Sequence, residues 1–156
     1  MANYQRQPMN TGVSEERLLH WNWVVGQIEL SHHYWLSSTR PDGRPHVVPI
    51  AAIWHDEALY FSLSLTSVKG RNISQQPRVA IHLESSRNVV ILEGVAQPAD
   101  NASIRDTVLP RYIERYNFTP PVTENNQWLN VHPDRVLAWI LSDSYNTATR
   151  WTTTAQ

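Results

Sequence analysis

Short runs of alternating or β-branched residues, separated by turn signatures of only a few residues, constrain this chain more than any other feature. "YWLSST" and "HVVPI" flank "RPDGRP". There Pro41 presets one turn dihedral and Gly43 accepts the positive φ that closes a hairpin. A second hairpin is expected at "HDEA", leading into "LYFSLS", where Leu59, Phe61 and Leu63 alternate with Tyr60, Ser62 and Ser64. One face of that strand is buried and the other mixed. After a short helix ending near Gln76, "RVAIHLE" and "NVVILEGVAQ" flank "SSR", and the chain ends in "RVLAWIL" and "NTATRW". Connections this short permit antiparallel pairing and leave no room for the helical crossovers of a parallel sheet. The expected fold is therefore mainly β, an antiparallel barrel with a few short helices inserted.

The helical patterns are few. Ser14 can cap a helix whose first turn holds Glu15 and Glu16 and whose apolar side carries Leu18, Trp21, Val25 and Ile28. Asp100 opens a second helical segment with Ile104 and Val108 inward, interrupted or restarted at Pro110. Residues from Asn117 to Asp134 are Pro- and Asn-rich and read as irregular, anchored at Trp128 and Leu129. Pro49 within a good strand demands an edge or a bulge. With 156 residues, one domain is expected over residues 14–156, behind a flexible segment of residues 1–13.

Composition excludes several function classes. Lys and Arg total 13 against 14 Asp and Glu, so neither a nucleic acid nor an acidic membrane is an expected partner. The absence of cysteine rules out disulfides, thiol catalysis and thiolate metal sites. No stretch approaches the ~18 apolar residues of a membrane-spanning helix, and the polar N-terminus lacks a signal core. A cytoplasmic protein whose partner is a small molecule or another protein is the expectation, with the sequons at Asn72, Asn101 and Asn117 idle.

"TSVKGRN" is the stretch richest in chemistry. Ser67 as a helix cap, Lys69 and Gly70 in the first turn and Arg71 beside them would combine exposed amides, a positive helix end and two cations. That is a phosphate site, or else a solvated basic turn. No histidine pair has a helical metal-ligand spacing, and adjacent His32 and His33 read as pointing to opposite faces, so no metal site is expected. His46 and His82 lie within strands, where either could line a pocket. There is no nucleophile elbow. Seven tryptophans are core or interface anchors for the most part, with Trp139 and Trp151 placed to stack on a flat ring.

In order and spacing, "YWLSSTRPDGRPHVVPI", "LYFSLSLTSVKGRNISQQPRVAIHLE", "VVILEGVAQ" and "HPDRVLAWILSDSYNTATRW" resemble the pyridoxamine 5'-phosphate oxidase-like split-barrel superfamily. The resemblance implies a Greek-key FMN-binding split barrel and a homodimer with two flavin sites on its interface. It implies that Ser67, Lys69, Gly70 and Arg71 hold the cofactor phosphate. Val48, Pro49 and Ile50 would lie along the isoalloxazine or ribityl chain, with Phe61 and Ser62 doing so from the neighbouring strand. Trp139 and Arg150 would reach the cofactor across the dimer. Oxidases specific for pyridoxamine phosphate end in an Arg-Leu-His-type motif where this chain reads "SYNTATRW", so another small conjugated substrate is implied. FMN is the expected cofactor. The deazaflavin coenzyme F-420 is the alternative, with Arg40, Arg44 and Arg71 available to its acidic tail, and a non-catalytic flavin- or haem-binding module is a further reading. A flavin carries its own hydride chemistry, so no catalytic side chain is required.

Overall fold

The computed structural model of the chain describes residues 3–153. Nine strands form one continuous antiparallel sheet: β1 (Tyr4–Pro8), β2 (Tyr34–Thr39), β3 (Pro45–Ile50), β4 (Ile53–His55), β5 (Ala58–Ser64), β6 (Arg78–Leu83), β7 (Asn88–Pro98), β8 (Asn126–Ile140) and β9 (Thr149–Thr153). The main path runs β1-β9-β8-β7-β6-β2-β3. β8 is long enough to serve two partners on one edge. Its first half pairs β5 from Val131 to Asn126, and its second half pairs β9 from Arg135 to Ala138. The sheet therefore divides at β8, so the antiparallel barrel expected from the hairpins takes the split form that the resemblance implies.

The turns obey their local chemistry. Asp56 and Glu57 both take positive φ, 46° and 59°, which is the two-residue hairpin geometry matched to strand twist. Gly43 does the same at 85°. Pro49 needs no ladder donor because β3 ends the sheet path. Inside the barrel, Tyr34, Leu36, Phe61, Ile81, Leu92 and Val136 are fully buried, and helix α1 (Trp21–Leu30) closes one mouth with Val24 and Ile28. A second apolar cluster lies on the other side of β4 and β5. There Tyr60 meets Ile104, Val108 and Tyr112 from a helical insertion built of α3 (Asn101–Ser103), a π-helical turn at residues 104–108 and α4 (Leu109–Tyr116). Asp100 caps this insertion, accepting from the Ala102 and Ser103 amides. A short α5 (Ser144–Thr147) precedes β9.

Four expectations are corrected. Residues 4–8, expected to be flexible, form β1 on the edge of β9, because the Tyr4 hydroxyl donates to the Pro133 carbonyl at 2.7 Å and its ring packs on Trp21. The first helix starts at Trp21 and not at Ser14. Residues 15–17 make one 3-10 turn, and extended Leu18 and Leu19 are buried, with the Leu19 amide donating to Thr149 Oγ1 at 2.9 Å. Residues 126–134, read as irregular, belong to β8. Pro133 is tolerated there because it falls opposite Gly94, where the β7 register shifts by a bulge. His32 and His33 precede β2, so strand alternation does not govern them; their rings meet, with Nδ1 atoms 3.0 Å apart.

Helix α2 (Val68–Gln75) fills the space between β2 and β5. Its buried Asn72 donates from Nδ2 to Ser38 Oγ on β2 at 3.0 Å. That amide is committed to the fold, which removes Asn72 as a glycan acceptor. Asn72→Ala leaves Ser38 buried without this partner, so a loss of about 1–3 kcal/mol is expected in urea unfolding. The first turn of α2 loses its support with it.

Candidate functional site

The start of α2 is shaped by Ser67 and Gly70. Ser67 is the N-cap: its Oγ accepts from the Gly70 amide at 3.1 Å while its hydroxyl donates to the Ser64 carbonyl at 2.6 Å. The hydroxyl is thus used by the turn, and Ser67 contributes by positioning the helix. Gly70 rests on the end of β5, where a Cβ would lie 2.2 Å from Ser64 O and 2.7 Å from Leu65 Cα. Only glycine lets α2 come this close. The first-turn amides of Val68 and Lys69 then point out of the helix with no intrahelical acceptor. Arg71 folds back to donate to the Thr66 carbonyl. It also borders a groove of about 280 Å³ with Arg40, Arg44, Asp42 and Asn72. Arg44 is paired with Asp42 at 2.8 Å.

His46, raised in the sequence only as a strand residue able to line a pocket, lies beside this end of the candidate site. It faces α2 from the edge strand β3, with Nδ1 buried and lacking a hydrogen-bond partner. Burial first, then the nearby Arg40 and Lys69 charges, hold its pKa below the ordinary imidazole value. Lys69 and Arg40 beside a buried imidazole nitrogen without a hydrogen-bond partner suit an anion that carries both charge and hydrogen-bonding oxygens. The same imidazole makes stability depend on pH. Because the folded pKa is depressed, the unfolded chain binds the proton more readily, so stability present above pH ~6.5 falls as the pH drops through the folded value. Thermal melts from pH 7.5 to 5 are expected to show this fall in the wild type and a flatter profile in His46→Gln.

The remaining residues named from the sequence fall into two groups. Val48 and Ile50 share the His46 side of β3, whereas Pro49 faces the other way, opposite Trp35. Phe61 is fully buried in the barrel and can meet a ligand only through its backbone. Ser62 lies on the opposite side of β5, across from Trp128. β3 and β5 are not paired strands: β3 pairs β2, β5 pairs β4 and β8, and α2 packs against β2 and β5. Trp139 and Arg150 are elsewhere. Trp139 lies eight residues beyond Val131, the last β8 residue paired to β5, which is about 26 Å of extended chain. Arg150, which donates to Gln7 Oε1 at 2.9 Å, sits on β9 with β8, β7, β6 and β2 between it and β3. Within one protomer, neither residue converges on α2.

Both belong instead to the outer face of the sheet. Register places Pro49, Trp35, His82, Ile91, Leu137 and Arg150 in one row across it, with Val47 and Trp139 in adjoining rows. Trp35 is 38% exposed and Val47 50%. An antiparallel sheet with one free face normally turns polar residues outward, so this apolar row departs from the rule.

The family model for pyridoxamine 5'-phosphate oxidase matches residues 24–140, which spans β2 to β8 and every candidate site residue except Arg150. The chain belongs to this family. No curated protein matches it. Among solved structures, a conserved hypothetical protein from Mycobacterium tuberculosis is 19% identical at a TM-score of 0.67, covering 83% of this chain and 90% of that one. A heme binding protein from Mycobacterium smegmatis is 18% identical at 0.66, covering 83% of this chain and 56% of that one. An F420 reductase is 22% identical at 0.57, covering 71% and 93%. These likenesses show the shared split-barrel fold. For a pyridoxamine 5'-phosphate oxidase family member, the test of fit to a phosphorylated flavin is the donor set itself. Lys69, Arg40, Arg71, two outward amides and the unpartnered His46 nitrogen form a set that a phosphate ester and its neighbouring hydroxyls satisfy.

Proposed function

We propose that the protein is a homodimeric flavin-dependent oxidoreductase that holds FMN between subunits and acts on a small conjugated substrate. The single observation that carries this reading is the division of the site. The candidate anion-binding end at α2 is separated within the protomer from Trp139 and Arg150, which stand on the outer face of the sheet, where Arg150 donates to Gln7 Oε1. A second copy seated on that face covers Trp35, Val47 and Pro49 and brings its own Trp139 and Arg150 toward α2. In this arrangement Lys69, Arg71 and the first-turn amides hold the phosphate. Val48 packs beside the ribityl chain and ring from the α2 side of β3, Pro49 lies at the subunit contact, and Trp139 of the partner subunit closes over the ring. Bound FMN supplies hydride chemistry, so the chain's own task is to bind, orient and exclude water.

A second reading keeps the site and changes the coenzyme. The Arg40, Arg44 and Arg71 groove continues outward from the phosphate end, and an acidic tail such as that of coenzyme F-420 would lie along it. The test is to pass the purified protein over a desalting column after incubation with FMN, with F-420 or with haem, and to record its spectrum and mass. A dimer retaining one FMN per chain supports the first reading and retained F-420 the second. Retention of haem alone would make the protein a binding module. A monomer retaining none contradicts the proposal.

A further inference from the structure

The outer face carries a cavity of about 270 Å³ beside Trp139, floored by Val89 and Ile91 and walled by His82. His82 is the notable group. Its Nδ1 lies 2.8 Å from the Leu83 carbonyl, an acceptor only, so Nδ1 carries the proton and donates it. The ring is also stacked on Trp35, 18° from parallel with centroids 6.5 Å apart. Tautomer and ring plane are therefore both fixed by the fold. Nε2 is the ring nitrogen outside this bond, and in the Nδ1–H tautomer it offers a lone pair in an aromatic-walled cavity. Glu84, Ser85 and Ser86 line the rim and are exposed, with Glu84 directed toward His33 at 3.7 Å.

We infer that this cavity receives the ring of a planar heteroaromatic ligand and that His82 Nε2 accepts the hydrogen bond from an N–H on the ring's polar edge. The inference rests on the proposed cofactor reading, since the same cavity holds Trp139, and it deepens it by naming a specificity residue. A fixed acceptor discriminates strongly: a ligand that presents N–H is held, and one that presents a methyl group there leaves the imidazole unpartnered and meets a steric block. The pyrimidine edge of a flavin or deazaflavin offers one such N–H.

The test uses the full-length protein and two probes, FMN and its N3-methyl derivative, titrated by quenching of flavin fluorescence. FMN is expected to bind at least tenfold more tightly than N3-methyl-FMN to the wild type. His82→Leu is expected to bind both at the weaker level, and His82→Gln, whose carbonyl can accept, to recover part of the preference. In ¹⁵N spectra, the Nε2 resonance of His82 should move on addition of FMN and stay in place with the methyl derivative. Equal affinity of the wild type for the two probes, or an unmoved Nε2 resonance in the FMN complex, overturns the assignment and leaves the cofactor reading standing. Failure of the wild type to bind either probe overturns both. The wild-type comparison keeps the inference open to refutation even if the Leu variant does not fold.

Discussion

Replacing Lys69 and Arg71 together with alanine is expected to weaken FMN binding by roughly two to four orders of magnitude, from two charge-assisted hydrogen bonds at about 1.5–3 kcal/mol each. The size follows from where these side chains stand. Both rise from the start of α2, and on the proposed reading the outward amides, His46 and Arg40 would add contacts to the phosphate without replacing two lost cations. The fold itself should be little affected: the Ser67 cap and the Asn72–Ser38 bond persist, and Arg71 gives up a single hydrogen bond, to the Thr66 carbonyl. Relief of like-charge crowding around His46 should leave the thermal midpoint unchanged or slightly raised. Fluorescence titration and a melt on the same samples check both statements. An affinity within threefold of wild type would mean that the phosphate is held somewhere else.

Gly70→Ala is expected to be the most damaging single-methyl change in the chain. The added Cβ would meet backbone, 2.2 Å from Ser64 O and 2.9 Å from Leu65 C, so no side chain can rotate away. The helix must lift off β5, and with it go the alignment of the Gly70 amide on Ser67 and the buried Asn72–Ser38 bond. Overpacking of this kind costs about 1–3 kcal/mol before the hydrogen bonds are counted, and each of those adds about 1 kcal/mol. A drop of more than about 3 kcal/mol in urea unfolding, together with lost FMN affinity, is the result expected. An ordinary helix glycine would instead gain from alanine, so the sign of the change separates the two cases.

These two substitutions also mark what the sequence could and could not reveal. The hairpins at Gly43 and at Asp56–Glu57 were legible because turn dihedrals are a local property of the residues that adopt them. Ser67 was legible as a cap for the same reason. β1 was not, because nothing in Tyr4–Pro8 is strand-like until β9 offers an edge and Trp21 a surface for Tyr4. The first half of β8 was hidden by Asn126, Asn130 and Pro133. Pairing with β5 and β7 makes Asn126 and Asn130 strand residues whatever their local preference, and the register shift at Gly94 accommodates the proline. For the candidate site, charge and spacing singled out Lys69 and Arg71, and the structure puts both at the start of α2. The roles proposed for His46 and His82 depend on tertiary neighbours, a buried nitrogen without a partner in one case and the Leu83 carbonyl in the other. Phe61 shows the limit of transfer by resemblance, since its side chain is sealed in the core.

The most direct measurement is subunit mixing between two variants damaged at opposite ends of the site, Lys69→Ala/Arg71→Ala and Trp139→Ala/Arg150→Ala. Each alone is expected to form dimers that bind FMN poorly. After mixing, partial unfolding and refolding, heterodimers contain one site with all four residues intact, so FMN binding near wild-type affinity should reappear. Absence of any recovery in verified heterodimers would contradict a site shared between subunits.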